Sequence, residues 1–207
     1  MLRLRLATLL ALVTLTATGL LTAVVPAGQA AAPRVDGTDV PNRTDVVRAI
    51  PGLKGVALGR FANRTLSYYD GVCSTWERVD GTSGKEFGGV STTGDRAVSA
   101  RVIQFPSKAA ARRLLATFRA FVRECGQHWA GVDTAVQAVR LPKLGDQRVA
   151  FRTTETFAPE KNLPNRNHLT AAVRQGKRLL VLTVELPDRV RTAPFVRLAR
   201  VAARKMG

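Results

Sequence analysis

The sequence is poor in the residues that carry most catalytic and metal-binding chemistry. Its 207 residues include only two histidines and two cysteines. His128 and His168 lie far apart, and neither a G-x-S-x-G motif nor a carboxylate pair accompanies them. Two cysteines and two distant histidines also match no zinc-ligand spacing. The sequence therefore predicts a noncatalytic protein, with no catalytic residue, no metal site and no cofactor.

Acidic residues are scarce as well. The chain has 15 Asp and Glu against 32 Lys and Arg, which gives a formal net charge of +17. Such an excess favours anionic partners, namely a small anionic ligand, an anionic envelope polymer or a membrane surface in peripheral contact. Because the basic residues are spread along the chain, they indicate no specific nucleic-acid interface. The alternative is a compositional bias that gives solubility and weak adhesion.

The single long apolar run lies at the N-terminus. Arg3 and Arg5 precede an uncharged run over residues 6–25, and a small-residue stretch follows Pro26. This layout predicts a signal peptide over residues 1–30, cleaved after Ala30, and a secreted, extracytoplasmic protein. An uncleaved anchor is the alternative, since about 20 apolar residues can span a bilayer. We expect a flexible leader over residues 31–43 and a single domain, predicted to be a monomer, over residues 44–207.

The predicted export determines how the two cysteines are interpreted. Outside the cytoplasm, two cysteines usually pair, so Cys73 and Cys125 are expected to form a disulfide. A free reactive thiol at Cys125 and metal ligation are the alternatives. His128 lies beyond Gly126, where the helix that carries Cys125 is expected to end.

Hydrophobic periodicity predicts two clear helices among several strands. Residues 96–105 alternate as a strand does, and a helix with Ser107 as its cap follows. At the C-terminus, Phe195, Leu198, Ala202 and Met206 form an apolar helical stripe that we expect to dock on a sheet. The class is α+β: an antiparallel sheet of about five to seven strands, with the long helix and the C-terminal helix packed on one face, and one disulfide.

Strand alternation also yields candidate binding residues. It places Arg101, Arg152 and Arg174 opposite the apolar rows of their strands, on what we expect to be one open face of the sheet. Guanidinium groups on a rigid sheet suit carboxylate or phosphate ligands. The alternative is a solvated polar face. Trp76 and Trp129 follow the two cysteines in sequence, and they are expected either to line an apolar pocket or to pack around the crosslink.

Four segments in order resemble a known family. They are ARVIQFPSKAAARRLLATF, RECG, LPKLGDQRVAF and AAVRQGKRLLVLTV, all within residues 96–206. The chain resembles the actinobacterial secreted sensor-domain proteins, which are relatives of the PknH-like extracellular domain of receptor Ser/Thr kinases. The resemblance implies an antiparallel sheet with helices on one face and a cleft on the other. It also implies extracytoplasmic sensing of an unassigned ligand.

Three functional hypotheses follow. The first is a secreted, noncatalytic ligand-binding or sensor-like domain, as the resemblance implies. The second is a cationic envelope-associated protein that adheres to anionic lipid or wall polymer. The third is an unrecognised hydrolase. The kinase ectodomain type has two cysteine pairs where this sequence has one. The resemblance therefore does not determine the shape of the implied cleft.

Overall fold

The computed structural model describes residues 34–69, 76–125, 127–129 and 132–207. For Tyr69, Trp76, residues 127–129 and Glu160 it describes the backbone alone. The helices are α1 (Arg43–Ala49), α2 (Lys108–Glu124) and α3 (Thr192–Met206), and 3-10 turns lie at Pro51–Leu53 and Pro159–Lys161. The strands are β1 (Gly59–Ala62), β2 (Thr65–Tyr69), β3 (Trp76–Asp80), β4 (Ser83–Val90), β5 (Ala97–Gln104), β6 (Gln127–Trp129), β7 (Val132–Ala138), β8 (Gln147–Phe157), β9 (Arg166–Gln175) and β10 (Arg178–Glu185).

Eight of these strands form one antiparallel sheet in the order β1-β4-β5-β10-β9-β8-β7-β6, and β2 and β3 pair separately. The class α+β and the antiparallel pairing are as predicted, but the predicted count of about five to seven strands is too low. The sheet is wider because the short strands β1 and β6 extend its two edges. Strands of four and three residues are too short to show alternation in the sequence.

The centre of the sheet is the hairpin of β9 and β10. Gln175 pairs with Arg178 across a turn in which Gly176 has φ of +58°, a backbone conformation that favours glycine. The neighbouring strand β5 continues the sheet on the other side of β10. In β10, Leu179, Leu180 and Leu182 are fully buried although they point to alternate faces. Both faces of the central sheet are therefore covered.

One side of the sheet, the α3 face, carries α1 and α3. Its strand residues are Ala100, Val102, Ala171, Val173, Leu180 and Leu182. The predicted stripe of α3 packs there, and Phe195, Leu198, Ala202 and Met206 are all 0% exposed. The predicted docking of the C-terminal helix on the sheet is confirmed.

The other side, the α2 face, carries α2 and the β2–β3 hairpin. Leu115 and Phe118 of α2 pack in one cluster with strand residues Ile103, Phe151, Ala172, Leu179 and Val181 and with Leu66 of β2. The prediction that both helices pack on one face is therefore wrong. Because the central strands bear apolar side chains on both faces, each face requires its own helix.

The segment that precedes α1 is packed onto the domain. Val35 and Val40 are buried, and the backbone N–H of Val35 donates to Ser83 Oγ at 3.1 Å. Asp39 forms an ion pair of 2.8 Å with Arg178 of β10. Residues 34–42 of the predicted flexible leader are thus part of the fold, since two valines and one carboxylate find partners there.

The predicted fold also included one disulfide, between Cys73 and Cys125. Cys125 is buried at the C-cap of α2, where its backbone N–H donates to Phe121 O at 3.0 Å. Cys125 is not a free cysteine in the structure, but Cys73, the partner predicted for it, lies outside the described residues. The predicted Cys73–Cys125 pairing therefore lies outside the described part of the structure.

The predicted signal peptide, residues 1–30, also lies outside the described residues. Within the described part of the chain, no helix combines the length and the apolar character that a membrane crossing requires.

Candidate functional site

A cleft of about 300 Å³ opens on the α2 face, between α2, strand β2 and strands β8 to β10. We call it the α2 cleft. The described residues that line it are Ser67, Tyr68, Phe118, Phe121, Phe151, Thr153, Glu155, His168, Thr170, Val181 and Thr183. The resemblance implied a cleft on the face without helices, but this cleft lies beneath α2. It exists on this face because α2 and the hairpin cover the sheet only in part.

Three phenylalanines form one wall of the α2 cleft. Phe118 and Phe121 lie one helical turn apart on α2 and project toward Phe151 of β8. The ring centroids of Phe121 and Phe151 are 5.2 Å apart, and those of Phe118 and Phe151 are 6.5 Å apart. These are the tilted contacts that aromatic pairs prefer. The wall is therefore aromatic and apolar, and it suits a flat hydrophobic group.

Hydroxyl groups lie on the floor of the cleft. Thr170 of β9 and Thr183 of β10 are register partners, and their hydroxyl oxygens are 3.2 Å apart. On the opposite wall, the hydroxyl of Tyr68 donates to Glu77 at 2.7 Å. Burial, followed by the hydrogen bond to Glu77, raises the pKa of Tyr68 to about 12. Tyr68 is thus neutral and held in place at physiological pH.

A histidine between two carboxylates closes one end of the cleft region. In His168 of β9, the Nε2 atom lies 3.9 Å from Glu155 Oε1. The Nδ1 atom of the same ring lies 3.4 Å from Glu185 Oε2. The three residues come from the adjacent strands β8, β9 and β10, and each is partly buried. Arg166, at 4.0 Å from Glu185, adds a more distant positive charge. This end of the cleft can both donate and accept hydrogen bonds.

The carboxyl of Glu155 is held in its ionised form. Its interaction with the His168 imidazole lowers the pKa of Glu155 from the ordinary value of 4.5, Arg166 contributes to the same effect, and burial opposes it. A depressed pKa means that Glu155 stabilises the fold above pH 4.5 and that this stability is lost as the pH falls through the lowered value.

We expect Glu155→Gln to make the free energy of unfolding depend less on pH in the acidic range. The free energy of unfolding of the unmodified protein should fall more steeply between about pH 5 and pH 3 than that of the variant. Urea unfolding at a series of pH values measures both slopes. Equal slopes would show that the carboxylate gains nothing from His168.

Among the predicted arginines, Arg101 and Arg174 do share the α2 face, as the alternation indicated. Both are occupied by partners within the domain. Arg101 forms a 2.8 Å ion pair with Glu86 and donates to Thr65 O at 2.6 Å. Arg174 pairs with Asp146 at 3.0 Å and donates to Gln147 Oε1 at 2.9 Å. Neither residue lines the α2 cleft.

Arg152 lies apart from the other two. It is the register partner of Leu169 and therefore projects from the α3 face of the sheet. The structure thus places two of the three predicted arginines on the same face, where each binds its own partners, and the third on the opposite face. Trp76 and Trp129 lie on β3 and β6, and their side chains fall outside the described part of the structure.

Sequence reasoning missed the polar end of the cleft. In the sequence, His168 is only a histidine far from His128, and the two carboxylates beside its side chain, which is 19% exposed, are not evident. The hairpin turn at Gly176 could have predicted one of these neighbours. A hairpin centred on Gly176 places His168 opposite Glu185 and Thr170 opposite Thr183. Alternation within β9 then puts His168 and Thr170 on one face.

The α2 cleft differs in charge from the rest of the chain. Neither arginine nor lysine is among the described residues that line it, although the chain has 32 such residues. Within the described residues, no cluster of His, Cys, Asp or Glu has the geometry of a metal site. The cleft therefore suits a ligand with an apolar body and a neutral or hydrogen-bonding polar group, since its described lining carries no arginine or lysine for an anion.

No family model and no curated protein matches the chain. Among solved structures, it is similar to the crystal structure of the extracellular domain of PknH from Mycobacterium tuberculosis. The TM-score is 0.50 at 10% sequence identity, and the match covers 84% of this chain and 97% of that chain. At this identity the likeness concerns the fold alone. The resemblance noted above is thus supported as a similarity of fold to this extracellular domain, and the match shows no membership of its family.

Proposed function

We propose that this protein is an extracytoplasmic, noncatalytic domain that binds a small, largely apolar ligand in the α2 cleft. The observation that carries the proposal is the cleft itself, with an aromatic wall, a hydroxyl floor and a polar end. A concave apolar site with a few convergent polar groups is the usual form of a small-molecule site. The fold similarity to a domain described as extracellular supports a sensor-like role.

The export of the domain rests on its N-terminal sequence. Two arginines followed by an uncharged apolar run and small residues are typical of a secretory signal. The excess of basic residues is compatible with a protein that works near anionic envelope components. We therefore place the binding function outside the cytoplasm.

The arrangement of His168 supports a binding role over a hydrolytic one. Its Nε2 faces Glu155 and its Nδ1 faces Glu185, so both ring nitrogens are directed at carboxylates. A general base for a serine or threonine nucleophile needs one ring nitrogen directed at the hydroxyl. The hydroxyls of Thr170 and Thr183 instead lie within hydrogen-bond distance of each other.

Titration with N-phenyl-1-naphthylamine, a neutral dye that fluoresces in apolar surroundings, tests the proposal. We expect saturable binding at one site. Ser67 is exposed on β2 and lines the cleft, so Ser67→Trp adds a large side chain at its mouth without disturbing the core. This variant should weaken dye binding by at least about tenfold, which corresponds to the loss of about 1.4 kcal/mol.

Ala116→Trp is the matched control. Ala116 is exposed on α2 and does not line the cleft, so the added indole should leave dye binding unchanged. Equal binding by the unmodified protein and Ser67→Trp would place the dye elsewhere and contradict the proposal.

A further inference from the structure

The N-terminus of α3 lacks the anionic residues that usually accompany a helix start. Its N-cap is Arg191, which makes no side-chain capping bond, and the first turn contains no acidic residue. Thr192 and Ala193 are exposed, and their backbone N–H groups belong to the first turn, where no carbonyl of the helix can accept them. The helix dipole adds a partial positive charge at this point.

A buried guanidinium lies beside this helix start. Arg152 is 5% exposed, and its Nη2 donates at 2.7 Å to the carbonyl of Val190, the residue that precedes the N-cap. Its Nη1 is buried and has no hydrogen-bond partner among the described residues. Arg189, two residues before the N-cap, is exposed and lies close enough to repel the same charge. Arg152, Arg189 and the helix dipole therefore place positive charge near this helix start, the N-cap Arg191 adds a third arginine in sequence, and the acidic residue of the preceding segment is the exposed Asp188.

Arg152 differs from three other arginines of the domain that are buried or partly buried. Arg101, Arg174 and Arg178 each form an ion pair with a carboxylate. Arg152 forms none with the described residues, and burial, followed by the charge of Arg189, lowers its pKa. A buried charge without a counter-ion is unfavourable, and an anion at the helix start would compensate it.

We propose that the N-terminus of α3, with Arg152, Arg189 and Arg191, is a binding site for a phosphate group. The amides of Thr192 and Ala193 and the exposed guanidinium groups donate to the phosphate oxygens, while the buried Arg152 supplies positive charge from the sheet side. A tetrahedral oxyanion has enough oxygens to accept from amides and guanidinium groups together. The site lies on the α3 face, so it is separate from the α2 cleft.

Titration of the ¹⁵N-labelled protein with inorganic phosphate, at ionic strength held constant with chloride, tests the site. We expect saturable shifts of the Thr192 and Ala193 amide signals. The double variant R189Q/R191Q should weaken binding by at least about tenfold, since it removes two charge-assisted donors. Arg152→Met should also weaken phosphate binding, and the dispersion of its amide signals reports whether it is folded.

The matched control is R200Q/R204Q, which removes the same charge from exposed positions further along α3. It should change the phosphate affinity by less than about twofold, as expected for screened distant charges. Equal weakening by the two double variants would show that only net charge matters and would overturn the site. Shifts that do not saturate, or that centre away from Thr192 and Ala193, would overturn it as well.

Phosphate in this site can come from solution or from a phospholipid headgroup, and vesicle flotation separates the two sources. If the headgroup is the source, phosphatidylglycerol vesicles bind the unmodified protein, phosphatidylcholine vesicles bind it less, and R189Q/R191Q loses the difference while R200Q/R204Q keeps it. If free phosphate is the source, the amide shifts occur without vesicle binding that depends on Arg189 and Arg191. Absence of both signals would overturn the proposal.

Discussion

Replacement of Phe195 by alanine is expected to lower the free energy of unfolding by about 3–5 kcal/mol. Phe195 is 0% exposed and lies in the core between α3 and the sheet. The substitution removes apolar contacts and leaves a cavity that the surrounding strands can fill only in part. Chemical denaturation measures the loss.

Arg200→Gln on the exposed side of α3 serves as the comparison, and it should change the free energy of unfolding by less than about 0.5 kcal/mol. Equal effects of Phe195→Ala and Arg200→Gln would mean that α3 does not dock on the sheet.

Leu115→Ala is expected to cost about 2–5 kcal/mol. Leu115 is 0% exposed and packs on the α2 face among Ile103, Phe151 and Leu179. Its loss would expose the underside of α2, the helix that also supports the aromatic wall of the cleft. Denaturant unfolding gives the magnitude, with the exposed Arg112→Gln as a neutral comparison.

The positions of the two helices can be tested by combining milder changes. Because Leu115 and Phe195 lie on opposite faces of the sheet, Leu115→Val and Phe195→Leu should be additive within about 0.5 kcal/mol. A larger coupling energy would indicate that the two side chains share one cluster, as the sequence first suggested.

The helices could be predicted from the sequence because their periodicity is strong. In α3 the spacing of Phe195, Leu198, Ala202 and Met206 places all four on one side, and all four are buried. The face of the sheet on which each helix packs could not be predicted. β10 carries Leu179, Leu180, Val181 and Leu182 in succession, so its sequence does not distinguish one face from the other.

The candidate arginines show that alternation within a strand does not determine which face of the sheet a side chain occupies. Within a strand the side-chain direction follows from period two, but the phase between strands depends on register across each connection. Arg101 and Arg174 share a face because β10 joins β5 and β9 in the observed register. Arg152 has the opposite phase, since it pairs with Leu169 in the β8–β9 register. That register depends on the polar loop at residues 158–165, which is too long for a turn type to set the register.

Only parts of the α2 cleft could be predicted from the sequence. Phe118 lies on the predicted long helix and is buried, yet it also forms part of the aromatic wall of the cleft. His168 and Glu185 belong to a predictable hairpin. Glu155 joins them only through the register of β8, and Ser67 only through the packing of a separate hairpin over the sheet. Long-range packing therefore assembles a site that no local motif encodes.

The most direct test of ligand binding in the α2 cleft is an NMR measurement of intermolecular NOEs between bound N-phenyl-1-naphthylamine and protein methyl groups. Thr170, Val181 and Thr183 each carry a methyl group on the floor of the cleft. The proposed site predicts NOEs from the dye rings to these three residues and their loss in Ser67→Trp. NOEs confined to methyl groups elsewhere, such as the exposed Val90 at the edge of the sheet, would contradict it.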